Sequence, residues 1–189
     1  MFIQTEATPN PATLKFLPGK VVMDAGTADF RDPEAASAQS PLAARLFAVD
    51  GVTGVFFGYD FVTITKDDET EWQHLKPAIL AGIMEHFMSD APVMASQGEE
   101  ASAAAGEEFF DAEDETIVAT IKELLDTRVR PAVAQDGGDI TFRGYREGTV
   151  FLHMKGACAG CPSSTATLKH GIQNLLRHFI PEVEGVEAV

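Results

Sequence analysis

Cysteine is nearly absent: the 189 residues contain two, Cys158 and Cys161. A disulfide-stapled secreted fold uses more cysteines at wider spacing, so that class is excluded. Long apolar runs are missing too. None approaches the roughly 18 residues that a membrane-spanning helix needs, so no membrane partner is expected. The opening stretch, MFIQTEATPNP, has no basic segment followed by an apolar one and lacks the Arg-rich, acid-poor character of a transit peptide. The expectation is therefore a bacterial cytoplasmic chain, or a mitochondrial matrix protein already processed. Basic residues are scarce, with 14 Lys+Arg against 29 Asp+Glu and a net charge of −15. Neutralising phosphates requires a surplus of cations, which excludes a general nucleic-acid partner.

Apolar residues are not lacking. They make up 45% of the chain, enough for a packed core, and the length suits one domain or two small ones. The charge is uneven. Residues 1–88 hold 12 acids and 6 bases, residues 89–115 hold 9 acids and no base, and residues 116–189 hold 8 of each. The acidic stretch is rich in Ala, Ser, Gly and Glu and has no hydrophobic period. Such a composition does not offset the entropy of ordering. It divides the chain into domains at 1–88 and 113–189, joined by a flexible acidic linker at 89–112. Phe109 and Phe110 stand out in it and are expected to dock on the following domain.

Both domains read as small mixed α/β (α+β) units. In the first, residues 13–16 and 20–23 suggest strands around the Pro18-Gly19 turn. Ser40 is an N-cap ahead of Pro41, with Leu42, Leu46 and Val49 at helical spacing. Residues 52–57 and 61–65 form a hairpin, and Trp72, Leu75, Ile79, Ile83 and Phe87 mark a helix stripe. In the second, Ile117, Ile121, Leu124, Leu125 and Val129 mark a helix whose extension Pro131 limits. Asp136-Gly137-Gly138-Asp139 is a loop. Ile140, Phe142 and Gly144 alternate with Thr141, Arg143 and Tyr145, and Val150, Leu152 and Met154 with Phe151, His153 and Lys155. A helix through Leu168, Ile172, Leu175, Leu176 and Phe179 precedes a last strand at 183–189. Residues 50–55 and 184–189 echo each other as helix-to-edge-strand turns, too briefly to be a repeat.

The two cysteines lie between a strand and a helix, in Gly156-Ala157-Cys158-Ala159-Gly160-Cys161-Pro162. Helix-start N–H groups and the macrodipole should lower their pKa values and favour thiolate or a thiolate–metal bond. Gly156 and Gly160 would let the backbone wrap closely around a bulky cofactor. Three chemistries fit a C-x-x-C in this place. A thioredoxin-like dithiol oxidoreductase has the same order of elements, but that fold continues with several strands, whereas only 28 residues follow Cys161. A zinc-stapled interaction module and an iron–sulfur cluster each want four ligands. One chain supplies two, and two chains related by a twofold axis supply four. Histidine completes no site nearby: His170 is roughly 13 Å along the helix from Cys161 at about 1.5 Å per residue. It is read as a surface residue, as are His74, His86, His153 and His178. Asp136 and Asp139 are read as loop residues rather than ligands.

At these residues the sequence resembles a known family. The run Gln135-Asp136-Gly137-Gly138-Asp139, then GACAGCPSSTATLKHGIQNLL and Pro181-Glu182-Val183, closely resembles the C-terminal domain of NifU-like (Nfu) proteins over roughly residues 113–189. The opening MFIQTEATPNPATLKFLPGKVV looks like the N-terminal domain of the Nfu type found in mitochondria and many bacteria. The resemblance implies a non-enzymatic iron–sulfur scaffold or carrier. It would hold a [4Fe–4S] cluster between two subunits through Cys158 and Cys161, as a cluster-bridged homodimer. A [2Fe–2S] form satisfies the same ligand count. Its partners would be upstream cluster-assembly proteins and apo iron–sulfur recipients.

Overall fold

The computed structural model describes residues 1–95, 107–159 and 162–189. The chain divides into two compact units, Met1–Ser102 and Ala103–Val189. The domain limits at 1–88 and 113–189 stand beside this division as our proposal.

The first unit is a five-stranded antiparallel sheet of order β1-β2-β5-β4-β3, backed by helices. Its elements are β1 (Gln4–Ala7), β2 (Thr13–Leu17), β3 (Ala28–Phe30), α1 (Pro33–Gln39), α2 (Pro41–Phe47), β4 (Val52–Phe57), β5 (Val62–Lys66) and α3 (Trp72–Met88). Phe16, Phe57 and Ile64 from the sheet meet Leu42 and Leu46 of α2 and Ile79 and Ile83 of α3, all fully buried. The strand expected at 20–23 is absent. Val22 and Met23 instead donate backbone N–H groups to the Tyr59 carbonyl, and β2 pairs with β1, which periodicity did not reveal. β4 is an interior strand between β5 and β3, so residues 50–55 are not an edge-strand turn.

Ser40 does more than the expected capping. Its hydroxyl accepts from Ala43 N–H at 3.0 Å and donates to the Val93 carbonyl, while Ala95 N–H bonds to the Gln39 carbonyl. The start of the acidic stretch thus lies against its own unit, and Val93 and Met94 pack on the core. Its other end behaves likewise. Phe109 N–H donates to Arg143 O, Tyr145 N–H donates to Phe109 O, and the Phe109 ring sits 5.1 Å from Phe151. Phe110 faces Phe142.

The second unit holds α4 (Glu115–Leu124), a π-helical turn (Leu125–Val129), α5 (Arg130–Gln135), β6 (Gly138–Arg146), β7 (Thr149–Gly156), α6 (Pro162–Phe179) and β8 (Gly185–Ala188). β6 and β7 form a hairpin closed by Glu147 and Gly148, both at positive φ (48° and 78°), the pattern of a type I′ turn. β8 pairs parallel to β7. A parallel neighbour requires a crossover, and α6 supplies it, packing Ile172 and Leu176 on the sheet.

Two expectations are corrected here. Pro131 does not end the helix. Its ring would clash with the carbonyl four residues earlier, and the widened turn just ahead of it, with Arg130 N–H bonded to Leu125 O, absorbs that conflict so that the helix runs on to Gln135. Tyr145 does not point outward with Arg143. A register shift between Phe142 and Gly144 reverses the alternation and buries Tyr145 at 4% exposure.

Replacing Ser40 by Ala removes a cap and leaves the Val93 carbonyl without its donor. The expected loss is about 1–3 kcal/mol from the first unit, read by urea denaturation.

Candidate metal half-site

β7 ends at Gly156, whose φ of +63° turns the chain away from the sheet, and α6 begins at Pro162. The connection between them carries the cysteines. Gly160 and Cys161 lie outside the described residues, so the geometry concerns Cys158 and its surroundings. Ala157 N–H donates to Gly137 O and Ala159 N–H to Gly156 O, both at 3.2 Å. Thr165, in the first turns of α6, donates its hydroxyl to the Cys158 carbonyl at 3.2 Å.

Cys158 does not face solvent. It is 6% exposed and belongs to the core of the second unit. Gly138, paired with Gly156 across the β6–β7 ladder, makes room for it. A Cβ at Gly138 would stand 2.5 Å from Cys158 Sγ and 2.8 Å from the Lys155 carbonyl. Burial, with the charges of Asp136 and Asp139 adding to it, pushes the thiol pKa up to about 12. This corrects the expectation of a lowered value. Desolvation of the thiolate inside the core outweighs the helix-start effect, which acts only where the sulfur faces the helix N–H groups.

The Asp136–Asp139 loop is also revised. Gly138 and Asp139 already belong to β6, and Asp139 is buried and bound to Arg130 through both carboxylate oxygens, at 2.8 and 2.9 Å. Gly156 serves as a turn residue at positive φ. The close approach to sulfur is made by Gly138, which the sequence reading treated as part of a loop. The signal that could have found it was the paired Gly137-Gly138 at the start of a strand, since a glycine there marks close contact as well as a turn.

Among the histidines, His74, His170 and His178 are exposed, and His153 places Nδ1 3.1 Å from the Val189 carbonyl. His86 is not on the surface as expected. It is 1% exposed at the end of α3, its Nε2 has no hydrogen-bond partner among the described residues, and burial, with Arg45 adding to it, lowers its pKa. Among the described residues no group of three or more His, Cys, Asp or Glu could hold a metal ion. Cys158 and, three residues on in the sequence, Cys161 are the candidate ligands, two of the four that a thiolate metal site takes. The room beside Gly138 is filled by the Cys158 sulfur, a soft donor of the kind that suits iron or zinc.

The chain is thus a two-domain α/β protein whose C-x-x-C precedes the crossover helix of the second unit, while the first unit has no cysteine. Sequence comparison makes this specific. A family model described as the Nfu/NifU scaffold protein N terminal matches residues 3–90, and one for the NifU-like domain matches residues 121–187. The human mitochondrial NFU1 iron-sulfur cluster scaffold homolog is 54% identical over 190 aligned positions, covering 100% of this chain and 72% of that protein. The mitochondrial NifU-like protein 4 of Arabidopsis thaliana is 51% identical, covering 99% of this chain and 65% of that protein. A solution structure of a NifU-like protein from Saccharomyces cerevisiae is 27% identical, with a TM-score of 0.47, over 51% of this chain and 87% of that one. The chain belongs to the Nfu/NifU family of iron–sulfur cluster scaffold proteins, whose members are carriers rather than enzymes.

Two outcomes test the site. Gly138→Ala should displace Cys158 and lower the melting temperature of the second unit, because the new methyl meets both sulfur and a backbone carbonyl. In apo-protein carrying Cys161→Ser, the rate of Cys158 alkylation should keep climbing from pH 9 towards pH 12 instead of levelling near the ordinary thiol value. The sign follows from the raised pKa. The buried neutral thiol stabilises the fold fully below the unfolded-state value, and that contribution is lost as pH rises through 12.

Proposed function

We propose that this chain carries a [4Fe–4S] cluster shared between two copies, each donating Cys158 and Cys161, and delivers it to apo iron–sulfur proteins. The observation that carries the reading is the position of Cys158, seated in the β7–α6 connection of a domain whose family is an iron–sulfur scaffold. The ligand count supports it, since the chain has two cysteines and the cluster takes four thiolates. Upstream assembly proteins would supply the cluster. The mitochondrial names of the relatives support a matrix location, and a bacterial chain of this kind would work in the cytoplasm.

The chemistry of delivery is ligand exchange. Each iron–thiolate bond to the carrier breaks as one to an acceptor cysteine forms, with no net oxidation or reduction. The Cys158 sulfur set free takes up the proton that the acceptor thiol gives up on binding iron, and returns to the Gly138 pocket, where the neutral thiol is the favoured form. To reach a cluster shared with a second copy, Cys158 must leave that pocket. A ligand with an enclosed seat to return to suits a carrier better than a permanent electron-transfer centre.

Anaerobic reconstitution with iron and sulfide tests this. The expected product is brown, elutes at dimer size and contains about four irons per two chains; about two irons would mean a [2Fe–2S] form. Cys158→Ala should lose the colour while its circular dichroism stays unchanged. A colourless monomer with a reversible dithiol–disulfide couple would instead support an oxidoreductase. A colourless zinc-loaded species stable to oxygen would support an interaction module.

A further inference from the structure

Arg130 binds two acids beside the Cys158 seat. Its Nε donates to Asp139 Oδ1 at 2.8 Å and a terminal nitrogen to Asp139 Oδ2 at 2.9 Å, a bidentate fork on one carboxylate. The other terminal nitrogen donates to Asp126 Oδ1 at 3.0 Å. Asp139 Oδ1 also accepts from the Ile140 N–H at 2.8 Å, so this carboxylate holds both the guanidinium and the backbone of β6. Its side chain is 6% exposed. Asp139 follows Gly138, whose missing Cβ makes room for Cys158 Sγ, and pairs across the ladder with Lys155, whose carbonyl is the second atom crowding that space.

The helix geometry supports the same assignment. The π-helical turn Leu125–Val129 inserts one residue into the helical register immediately before Arg130. That shift sets where Arg130 emerges, and its fork then meets Asp139. Asp139 is buried while the Arg130 side chain stays 36% exposed, and such a pair adds little net stability. What it adds is a fixed register between the helix and the first residues of β6.

We propose that Arg130 and Asp139 are positioning residues for the cluster ligand Cys158, holding the start of β6 where Gly138 forms the pocket from which the sulfur leaves and to which it returns. This rests on the reading of Cys158 as a ligand. It assigns no contact with the cluster to either residue.

The test uses Arg130→Gln, Arg130→Lys and Asp139→Asn. In a Cys161→Ser background, alkylation of apo Cys158 by iodoacetamide reads how firmly the pocket is held, with no cluster involved. The glutamine and asparagine variants should each speed labelling roughly ten- to a hundredfold, the range for losing a hydrogen bond to a charged group. Arg130→Lys should restore part of the protection, because an ammonium cannot bridge both carboxylate oxygens. Val186→Ala is the control for general destabilisation. It trims a buried residue on β8, which pairs with the opposite end of β7, and should leave labelling near the parent rate when compared at equal melting temperature. In the full chain, Arg130→Gln and Asp139→Asn should bind less iron per chain on reconstitution. Parent-like labelling in both variants, or an equal rise in Val186→Ala, overturns the proposal. Cluster retained by Cys158→Ala overturns the ligand reading instead, whatever the labelling rates.

Discussion

The seat of Cys158 depends on the absence of one carbon atom. Gly138 and Gly156 face each other at the end of the β6–β7 ladder, and the connection to α6 folds back so that Cys158 occupies the room beside Gly138. Any side chain at Gly138 would overlap both the sulfur and the Lys155 carbonyl. The parallel pairing of β8 with β7 compels a crossover at this point, and the crossover is α6. Pocket, connection and helix are thus consequences of one strand pairing and one small residue. The Arg130–Asp139 pair fixes the same strand end from the helical side.

Burial of Cys158 changes the energetic picture of a thiolate site. A ligand cysteine in an open, electropositive setting is ready to bind and reluctant to let go. Here the free sulfur is enclosed and burial favours its protonated form, so the proposed loading has to draw it out of its seat. The N-terminal unit holds no cysteine, and its core is closed around its own sheet and helices.

Much of this was legible in the sequence. The two α/β units, the Ser40 cap, the β6–β7 hairpin, the α3 stripe and the docking of Phe109 and Phe110 followed from periodicity, capping residues and turn chemistry. The family resemblance, carried by the glycine-rich run and the cysteine motif, held up in comparison with known proteins. What escaped notice has one feature in common: it depends on tertiary partners. The inward turn of Tyr145 needed a bulge, the passage of the helix through Pro131 needed a π turn, and the burial of His86 needed the packing of α3. The raised pKa of Cys158 came from enclosure, which local helix-start electrostatics did not foretell. Gly138, distant in sequence, makes room for the sulfur, and no local pattern around the cysteines points to it.

The most direct measurement of the central claim is native mass spectrometry of the anaerobically loaded protein. A shared cluster predicts a species with the mass of two chains plus one cluster, which separates into bare chains when the cluster is removed by acid. A single chain that retains a whole cluster, or a loaded dimer that persists after the cluster is gone, would contradict a site built from one half in each copy.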